Sequence, residues 1–479
     1  MSPPSSSQLV VIGAGPGGYA AAFYAADRGM QVALVDPEPN PGGVCLYRGC
    51  IPSKALLHVA KVLNEAKHAE AWGISFGGPK IDVRKVRAFK DKVVTQLTGG
   101  VGQIGRMRKV TYIQGLARFR DARTLQIARE GESEDAGDTL TFEHAIIATG
   151  SRPSTVPGLS IDSPRVMDST AALDLPDIPK SLLVVGGGYI GLELGTVYAA
   201  LGSAVTVVEM TDGLLPGADR DLVNVLARRV ESMCEAVLLN TKVVSMNEAE
   251  NGVSVTFDGQ LPEGMASVRT FDRVLISVGR RPNSAIPGLD KTKVKVNGRG
   301  FIEVDNARAT AEPTIYAIGD VVGEPMLAHK ASHEARVAVD AILGERVAFE
   351  PLAIPAVVFT DPELAWCGLT EADAQQQKRD VMVARFPWGA SGRAITLDRT
   401  DGMTKLVLDP GTGRVLGVGI VGPGAGELIS EGVLAVEMGA TASDVKLSIH
   451  PHPTLSETLM ESAEVFFGQA THVYKPKRA

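Results

Sequence analysis

"LVVIGAGPGGYAAAFYAADRGMQVALVD", residues Leu9 to Asp36, is the stretch on which the fold turns. An apolar, β-branched run leads into the turn Gly13-x-Gly15-x-x-Gly18, a segment of helical period follows, and a second apolar run ends on Asp36. GxGxxG alone is a weak signal. Here it follows a strand, opens a helix and is completed by an acid 18 residues after the third glycine, the context a dinucleotide fingerprint requires. The first glycine permits the tight turn, the second lets backbone approach a pyrophosphate, and the third brings helix and strand together. Free N–H groups at the helix start, with the positive end of the helix dipole, favour the phosphates. The acid accepts the ribose hydroxyls.

The same pattern occurs twice. "LLVVGGGYIGLELGTVYAALGSAVTVVE", Leu182 to Glu209, aligns without a gap at an offset of 173 residues, with Gly186, Gly188 and Gly191 as its glycines and Glu209 as its acid. Two dinucleotide sites in one chain suggest a donor and an acceptor. "HAIIATGSRP" (His144 to Pro153) and "RVLISVGRRPN" (Arg273 to Asn283) each read as a strand ending in glycine, at Gly150 and Gly279. "TIYAIGD" brings Asp320 to the C-terminal end of a strand, where α/β folds bind ligands.

The fold class expected is therefore α/β, with two Rossmann-like dinucleotide-binding units and a C-terminal α+β domain. The first unit spans residues 1–150, an inserted second unit 151–280, a return segment 281–350 and the last domain 351–479. That domain has strand-like "MTKLVLD" and "VLGVGIVG", then helical "AGELISEGVLAVEMGA", and no nucleotide fingerprint. The polar stretch Ala128 to Asp138 reads as a hairpin loop.

Composition agrees with a globular protein of about three domains. The chain has 479 residues, 44% hydrophobic and 22% charged, with a formal net charge of -7. An acidic balance argues against a nucleic-acid binder. Short basic runs such as Arg106 to Lys109 and the tail Lys475 to Arg478 read as solvated surface. No apolar run is long enough for a membrane span. The start "MSPPSSSQ" shows neither the basic and apolar regions of a signal peptide nor the arginines of a transit peptide, so a cytoplasmic address is expected. Structural disulfides are rare in that compartment.

Four cysteines are present, and Cys45 and Cys50 lie five positions apart in "GGVCLYRGCIPSK". A structural zinc needs four ligands, and no second cysteine pair is available; no metal site is expected. A structural disulfide fits the compartment poorly. Redox use fits better, because a helix over "SKALLHVAKVLNEA" puts Cys50 at its start, where a thiolate is stabilised. Residues five apart in a regular helix have Cα atoms roughly 8–9 Å apart, whereas a disulfide tolerates about 6.8 Å. A bonded pair therefore requires distorted backbone, which Gly49 and Pro52 can supply. Cys234 and Cys367 read as core thiols.

The motifs "GAGPGGYAAA", "GGVCLYRGCIPSKALL", "GGGYIGLELGTVYAALGSAVTVVE", "YAIGD", "MLAHKASHEA", "VVFTDPELAWCGLTE" and "HPHPTLSE" resemble the flavin disulfide reductases along nearly the whole chain, most closely the branch that oxidises dihydrolipoyl groups. The cysteine and histidine motifs carry most of the specificity.

The resemblance implies FAD at Gly13, Gly15, Gly18, Asp36, Lys54, Thr149, Gly150, Asp320 and Ala328. It implies NAD at Gly186, Gly188, Tyr189, Ile190, Gly191, Glu193, Glu209 and Gly279. Cys45 is then the interchange thiol and Cys50 the one facing the flavin. Lys54 pairs with Glu193 beside the flavin, Tyr189 covers the nicotinamide pocket, His452 is the acid–base and Glu457 orients it.

The last domain is implied to dimerise the chain. The implied partners are a second copy and a lipoyl-bearing acyltransferase or glycine cleavage H protein. One departure stands out: Tyr47-Arg48 lies between the cysteines where the family usually has Asn-Val.

From the residues alone, Lys54 is equally an exposed helix lysine, and Glu457, three after Thr454, has capping-box spacing. His329, His333 and His450 read as packing histidines. A glutathione-reducing alternative is disfavoured by "VVEMTDG", which lacks arginines for a 2′-phosphate. A mercury-reducing one is disfavoured because "THVYKPKRA" has no cysteine pair. A flavin-binding protein with idle thiols is the alternative from another class.

Overall fold

The structure is a computed structural model and describes residues 5–129, 131–132, 137–156, 158–159 and 161–474. The tail Lys475 to Arg478 and part of the Ala128–Asp138 stretch lie outside the described residues.

The first sheet contains β1 (Ser6–Ile12), β2 (Val32–Asp36), β3 (Thr111–Gln114), β4 (Leu116–Asp121), β5 (Thr124–Ala128) and β6 (Asp138–Ile147), in the order β3-β2-β1-β6-β5-β4. β1 runs parallel to β2 and β6. The late strand Ile315–Ala317 pairs parallel with β6, so the segment after the second unit returns to the first sheet. In β1, Val10 and Ile12 pack into one apolar cluster while Leu9 and Val11 pack into another. That alternation buries both faces, as a parallel sheet covered on both sides requires.

The second fingerprint builds the same arrangement. Ser181–Val185 lies between Ala204–Val208 and Arg273–Ile276, all parallel. Its residues again alternate, Leu182 and Val184 facing one cluster and Leu183 and Val185 the other. A three-stranded antiparallel sheet, Thr241–Ala249, Gly252–Gly259 and Val268–Phe271, covers that second cluster.

The C-terminal region is a five-stranded antiparallel sheet with strands in the order Ala356–Val358, Leu364–Gly368, Val415–Val421, Met403–Leu408 and Met382–Pro387. Helices Ala425–Glu437 and Glu457–Phe467 pack on it over a core containing Trp388, Phe386 and Cys367. Cys234, by contrast, is only half-buried.

Two features fix the units to one another. The helix Cys50–His68 sends Leu56, Leu57 and Ala60 into a cluster shared with Leu192 and Leu194 of the second unit and with Val358, Leu364 and Val421 of the C-terminal sheet. Lys405, buried under the C-terminal sheet, meets Asp219 at 2.6 Å, Asp221 at 2.8 Å and Glu371 at 2.7 Å. Among the described residues these three carboxylates are the one group with metal-like spacing, and the lysine ammonium supplies the cation they face. Among the described residues no helix is long and apolar enough to cross a membrane.

Candidate active site

The two glycine turns have matching geometry. Gly13 has φ +97° and Gly186 φ +107°, left-handed values that favour glycine. A Cβ on Gly18 would lie 1.8 Å from Gly13 O, and one on Gly191 2.3 Å from Gly186 O. Neither turn could close with a side chain there.

The acids play matching parts too. Asp36 Oδ2 accepts Ala14 N–H at 2.6 Å and Oδ1 accepts Glu38 N–H at 2.9 Å. Glu209 Oε2 accepts Gly187 N–H at 2.8 Å and Oε1 accepts Thr211 N–H at 2.9 Å. Each acid thus holds its glycine turn while keeping acceptor lone pairs for ribose hydroxyls. Burial pushes the Asp36 carboxyl up to about 6, against the Ala14 bond and the charge of Arg48.

At the first turn opens a cavity of about 570 Å³, lined by Gly13, Gly15, Asp36, Cys45, Cys50, Lys54, Thr149, Gly150, Asp320 and Ala328. Tyr189, Ile190 and Glu193, expected with the second nucleotide, line it too. The start of helix Tyr189–Leu201 therefore joins the two sites. Gly186, Gly188, Gly191, Glu209 and Gly279 lie away from this cavity, as does Gly18 beneath the turn.

The donors fit FAD here. Helix α1 (Pro16–Asp27) begins without a side-chain cap, leaving its N–H groups for a diphosphate. The second turn likewise fits NAD: helix Tyr189–Leu201 also begins uncapped, and nothing lies within 4 Å of a Cβ built on Gly188.

The segment between the cysteines bends as the disulfide geometry demands. Helix α2 (Gly43–Arg48) stops, Gly49 takes φ −144° and ψ −114°, and helix α3 (Cys50–His68) starts at Cys50 itself. A Cβ on Gly49 would lie 2.9 Å from Val44 O and 3.3 Å from Cys45 Cα. Gly49 alone carries the break; Pro52 sits inside the first turn of α3, where its missing N–H costs nothing.

Cys45 and Cys50 lie close together, and the interaction between the two thiols, with Lys54 nearby, lowers the Cys50 thiol against desolvation. The same interaction, with desolvation, pushes the Cys45 thiol up. In the reduced pair the thiolate is therefore favoured on Cys50 over Cys45. Lys54 Nζ meets both oxygens of buried Glu193, at 2.8 and 3.1 Å, and lies over the Phe359 ring. Glu193 is held further by Phe359 N–H at 3.0 Å.

His452 is 73% exposed and does not line the cavity. Its Nδ1 lies 2.9 Å from Glu457 Oε1, and Glu457 Oε2 accepts Thr454 N–H at 2.7 Å. Glu457 thus orients the histidine and caps the Thr454 turn at once. Burial pushes its carboxyl up, but the Thr454 and His452 bonds outweigh this and hold it below the usual range. A carboxylate only accepts, so in the neutral ring Nδ1 carries the proton and Nε2 is left as the acceptor. His450 pairs with Glu431 at 2.7 Å, and His329 meets Pro355 O at 2.8 Å.

Sequence reasoning missed Arg280 and Ser151. Arg280 Nε donates to Ser151 Oγ at 2.7 Å, and Ser151 Oγ donates to Asp320 Oδ2 at 2.5 Å. The signal was present in "ATGSRP" and "SVGRRPN". These segments pair antiparallel over Ser151–Pro153 and Arg280–Pro282, tying the two nucleotide units together.

Residues 7–335 match the family described as pyridine nucleotide-disulphide oxidoreductase, and residues 354–463 match its dimerisation domain. Dihydrolipoyl dehydrogenase of Haemophilus influenzae is 48% identical over 477 residues, covering 100% of this chain and 98% of that protein. Its counterpart in Geobacillus stearothermophilus is 45% identical, covering 98% and 97%. Among solved structures, LpdA from Mycobacterium tuberculosis superposes with a TM-score of 0.87 at 27% identity, covering 96% of this chain and 99% of that one. The flavoprotein disulfide reductase RclA from Escherichia coli, as its Cu(II) complex, gives 0.84 at 29% identity, covering 96% and 100%. With both of the family's domains matched, the chain belongs to the pyridine nucleotide-disulphide oxidoreductases.

Proposed function

We propose that this chain oxidises protein-bound dihydrolipoyl groups to lipoyl, passing the electrons through Cys45 and Cys50 to FAD and on to NAD⁺. The observation that carries the reading is the pair of free thiols, Cys45 and Cys50, at the break between α2 and α3, both on the wall of a cavity that fits FAD. The full-length relatives named dihydrolipoyl dehydrogenase supply the substrate class.

In the reaction, His452 Nε2 takes a proton from one substrate thiol, and Glu457 stabilises the resulting imidazolium. The substrate thiolate attacks Cys45 Sγ, the Cys45–Cys50 bond breaks, and Cys50 leaves as a thiolate beside Lys54. The second substrate thiol then attacks the mixed disulfide, closes lipoyl and releases Cys45. Two electrons now reside on the pair. FAD, when bound, relays these electrons to NAD⁺ as hydride. Overall, a dithiol and NAD⁺ become a disulfide, NADH and a proton.

We place the working unit as a cytoplasmic homodimer, with His452 of one copy serving the cysteines of the other. The side chain's exposure, away from its own chain's cavity, supports this. A lipoyl-bearing acyltransferase or glycine cleavage H protein is the partner that presents the substrate. The domain boundaries follow as residues 1–150 and 281–350 for FAD, 151–280 for NAD and 351–479 for the dimer interface.

NADH formation from dihydrolipoamide tests the reading, with NADPH oxidation by glutathione disulfide as the contrast. Flavin-loaded protein should perform only the first. Replacing NAD⁺ with NADP⁺ should lower kcat/KM at least about a hundredfold, because Glu209 repels a 2′-phosphate that no arginine after it would hold. Turnover of glutathione disulfide, or equal use of both nucleotides, would overturn the assignment.

A further inference from the structure

The wall of the first cavity beside the ribose acid carries two carboxylates, Asp36 and Glu38. Asp36 is committed to the glycine turn and to ribose. Glu38 has no such task, and a bare carboxylate there would repel the diphosphate of a dinucleotide. It cannot swing away easily. Tyr112 Oη donates to Glu38 O at 2.7 Å, and Tyr47 Oη donates to Asn40 O at 3.1 Å while accepting Asn40 N–H at 3.2 Å. The loop is fixed on both sides of the carboxylate.

From the end of α2, Arg48 reaches back to ion-pair with Glu38 and lines the same cavity. Its positive charge also acts on Asp36. Of the other cations on that wall, Lys54 is taken by Glu193, Arg280 by Ser151, and Arg152 by Pro282 O and Asn283 Oδ1. Arg48 is the one aimed at the acidic end.

We propose that Arg48 is a FAD-positioning residue, which neutralises Glu38 so that, beside the first glycine turn, the anionic cofactor meets a single working carboxylate, Asp36. Arg48 also lies two residues from Cys50, so the segment that carries the thiols contributes to holding the cofactor's adenosine half. The inference rests on the first fingerprint holding FAD.

Titration of apoprotein with FAD, followed by flavin fluorescence, tests it. Arg48→Gln should raise the dissociation constant about tenfold, the scale of one uncompensated charge near the ligand. Arg48→Lys should stay within about threefold of the parent, since it keeps the charge. Glu38→Gln alone should bind at least as tightly as the parent. The double variant Arg48→Gln/Glu38→Gln should recover to within about threefold, because no charge is left to neutralise. Circular dichroism of each apoprotein checks that the fold is kept; if Arg48→Gln does not fold, the Lys and double variants carry the test. A double variant as weak as Arg48→Gln would mean that Arg48 grips the cofactor directly, and would overturn the proposal. So would an Arg48→Gln protein that binds normally. A parent protein that binds no FAD at all would overturn the cofactor reading itself, before any variant is compared.

Discussion

How the pair reacts depends on which thiol gives up its proton. The interaction with Cys45 is the largest influence lowering the Cys50 thiol, with Lys54 adding to it while desolvation and Glu193 oppose it. A lowered value means that the thiolate persists to lower pH than in an ordinary cysteine. Replacing Cys45 by alanine removes that thiol, and a hydrogen bond to a charged group contributes about 1.5 kcal/mol or more. Cys50 in that variant should therefore titrate about one pH unit higher. Cys45→Ser keeps a hydroxyl donor and should move less. The midpoint of iodoacetamide alkylation against pH, measured on each variant, reads this directly. Coincident midpoints would show that the interaction is not the cause. Lys54→Met should also move the midpoint upward, through loss of the neighbouring positive charge.

At the scale of elements, the glycine turns make a paired test, because one motif serves two nucleotides. Gly18→Ala drives a methyl toward Gly13 O, and Gly191→Ala drives one toward Gly186 O and Ser277 Oγ, the latter 2.6 Å away. Overpacking of this kind costs about 1–3 kcal/mol. Gly18→Ala should lose flavin. Gly191→Ala should keep its flavin absorbance but bind NADH at least about tenfold more weakly. The opposite pattern would reverse the assignment of the two sites.

Much at this scale was legible in the sequence, because both fingerprints are local: strand, turn, helix and acid lie within 28 residues of each other. The break at Gly49 was legible for the same reason, since disulfide geometry alone demands it. Side-chain pairings between distant segments were not. Arg280 with Ser151, and Lys405 with Asp219 and Asp221, join residues more than a hundred positions apart, and no period in the chain announces them. Arg48 with Glu38 is close in sequence, yet it depends on a helix ending and a loop turning back. The double role of Glu457 was half legible: spacing suggested a cap, the family resemblance implied an orienting acid, and the two carboxylate oxygens divide the tasks.

For the whole molecule, the question is where His452 works. The C-terminal domain exposes Met438 at 75%, Leu447 at 77% and Ile449 at 98%, with Leu434 also exposed. Large apolar side chains left in water favour an interaction face, and the domain matches a dimerisation family. A twofold axis through that face would make the contact self-complementary and build two equivalent sites. Each site would then take its thiols from one chain and its base from the other. Dimers of His452→Gln and dimers of Cys50→Ser should both be inactive in dihydrolipoamide oxidation. Mixed under conditions that allow chains to exchange, they form heterodimers in which one site has both defects and the other has neither. Activity should rise as exchange proceeds, toward about one quarter of the parent's rate at equal mixing: half of the dimers are mixed, and each has one of two sites intact. If each histidine serves its own chain, every site in the mixture keeps one defect, activity stays at the level of the separate variants, and the shared-site arrangement is wrong.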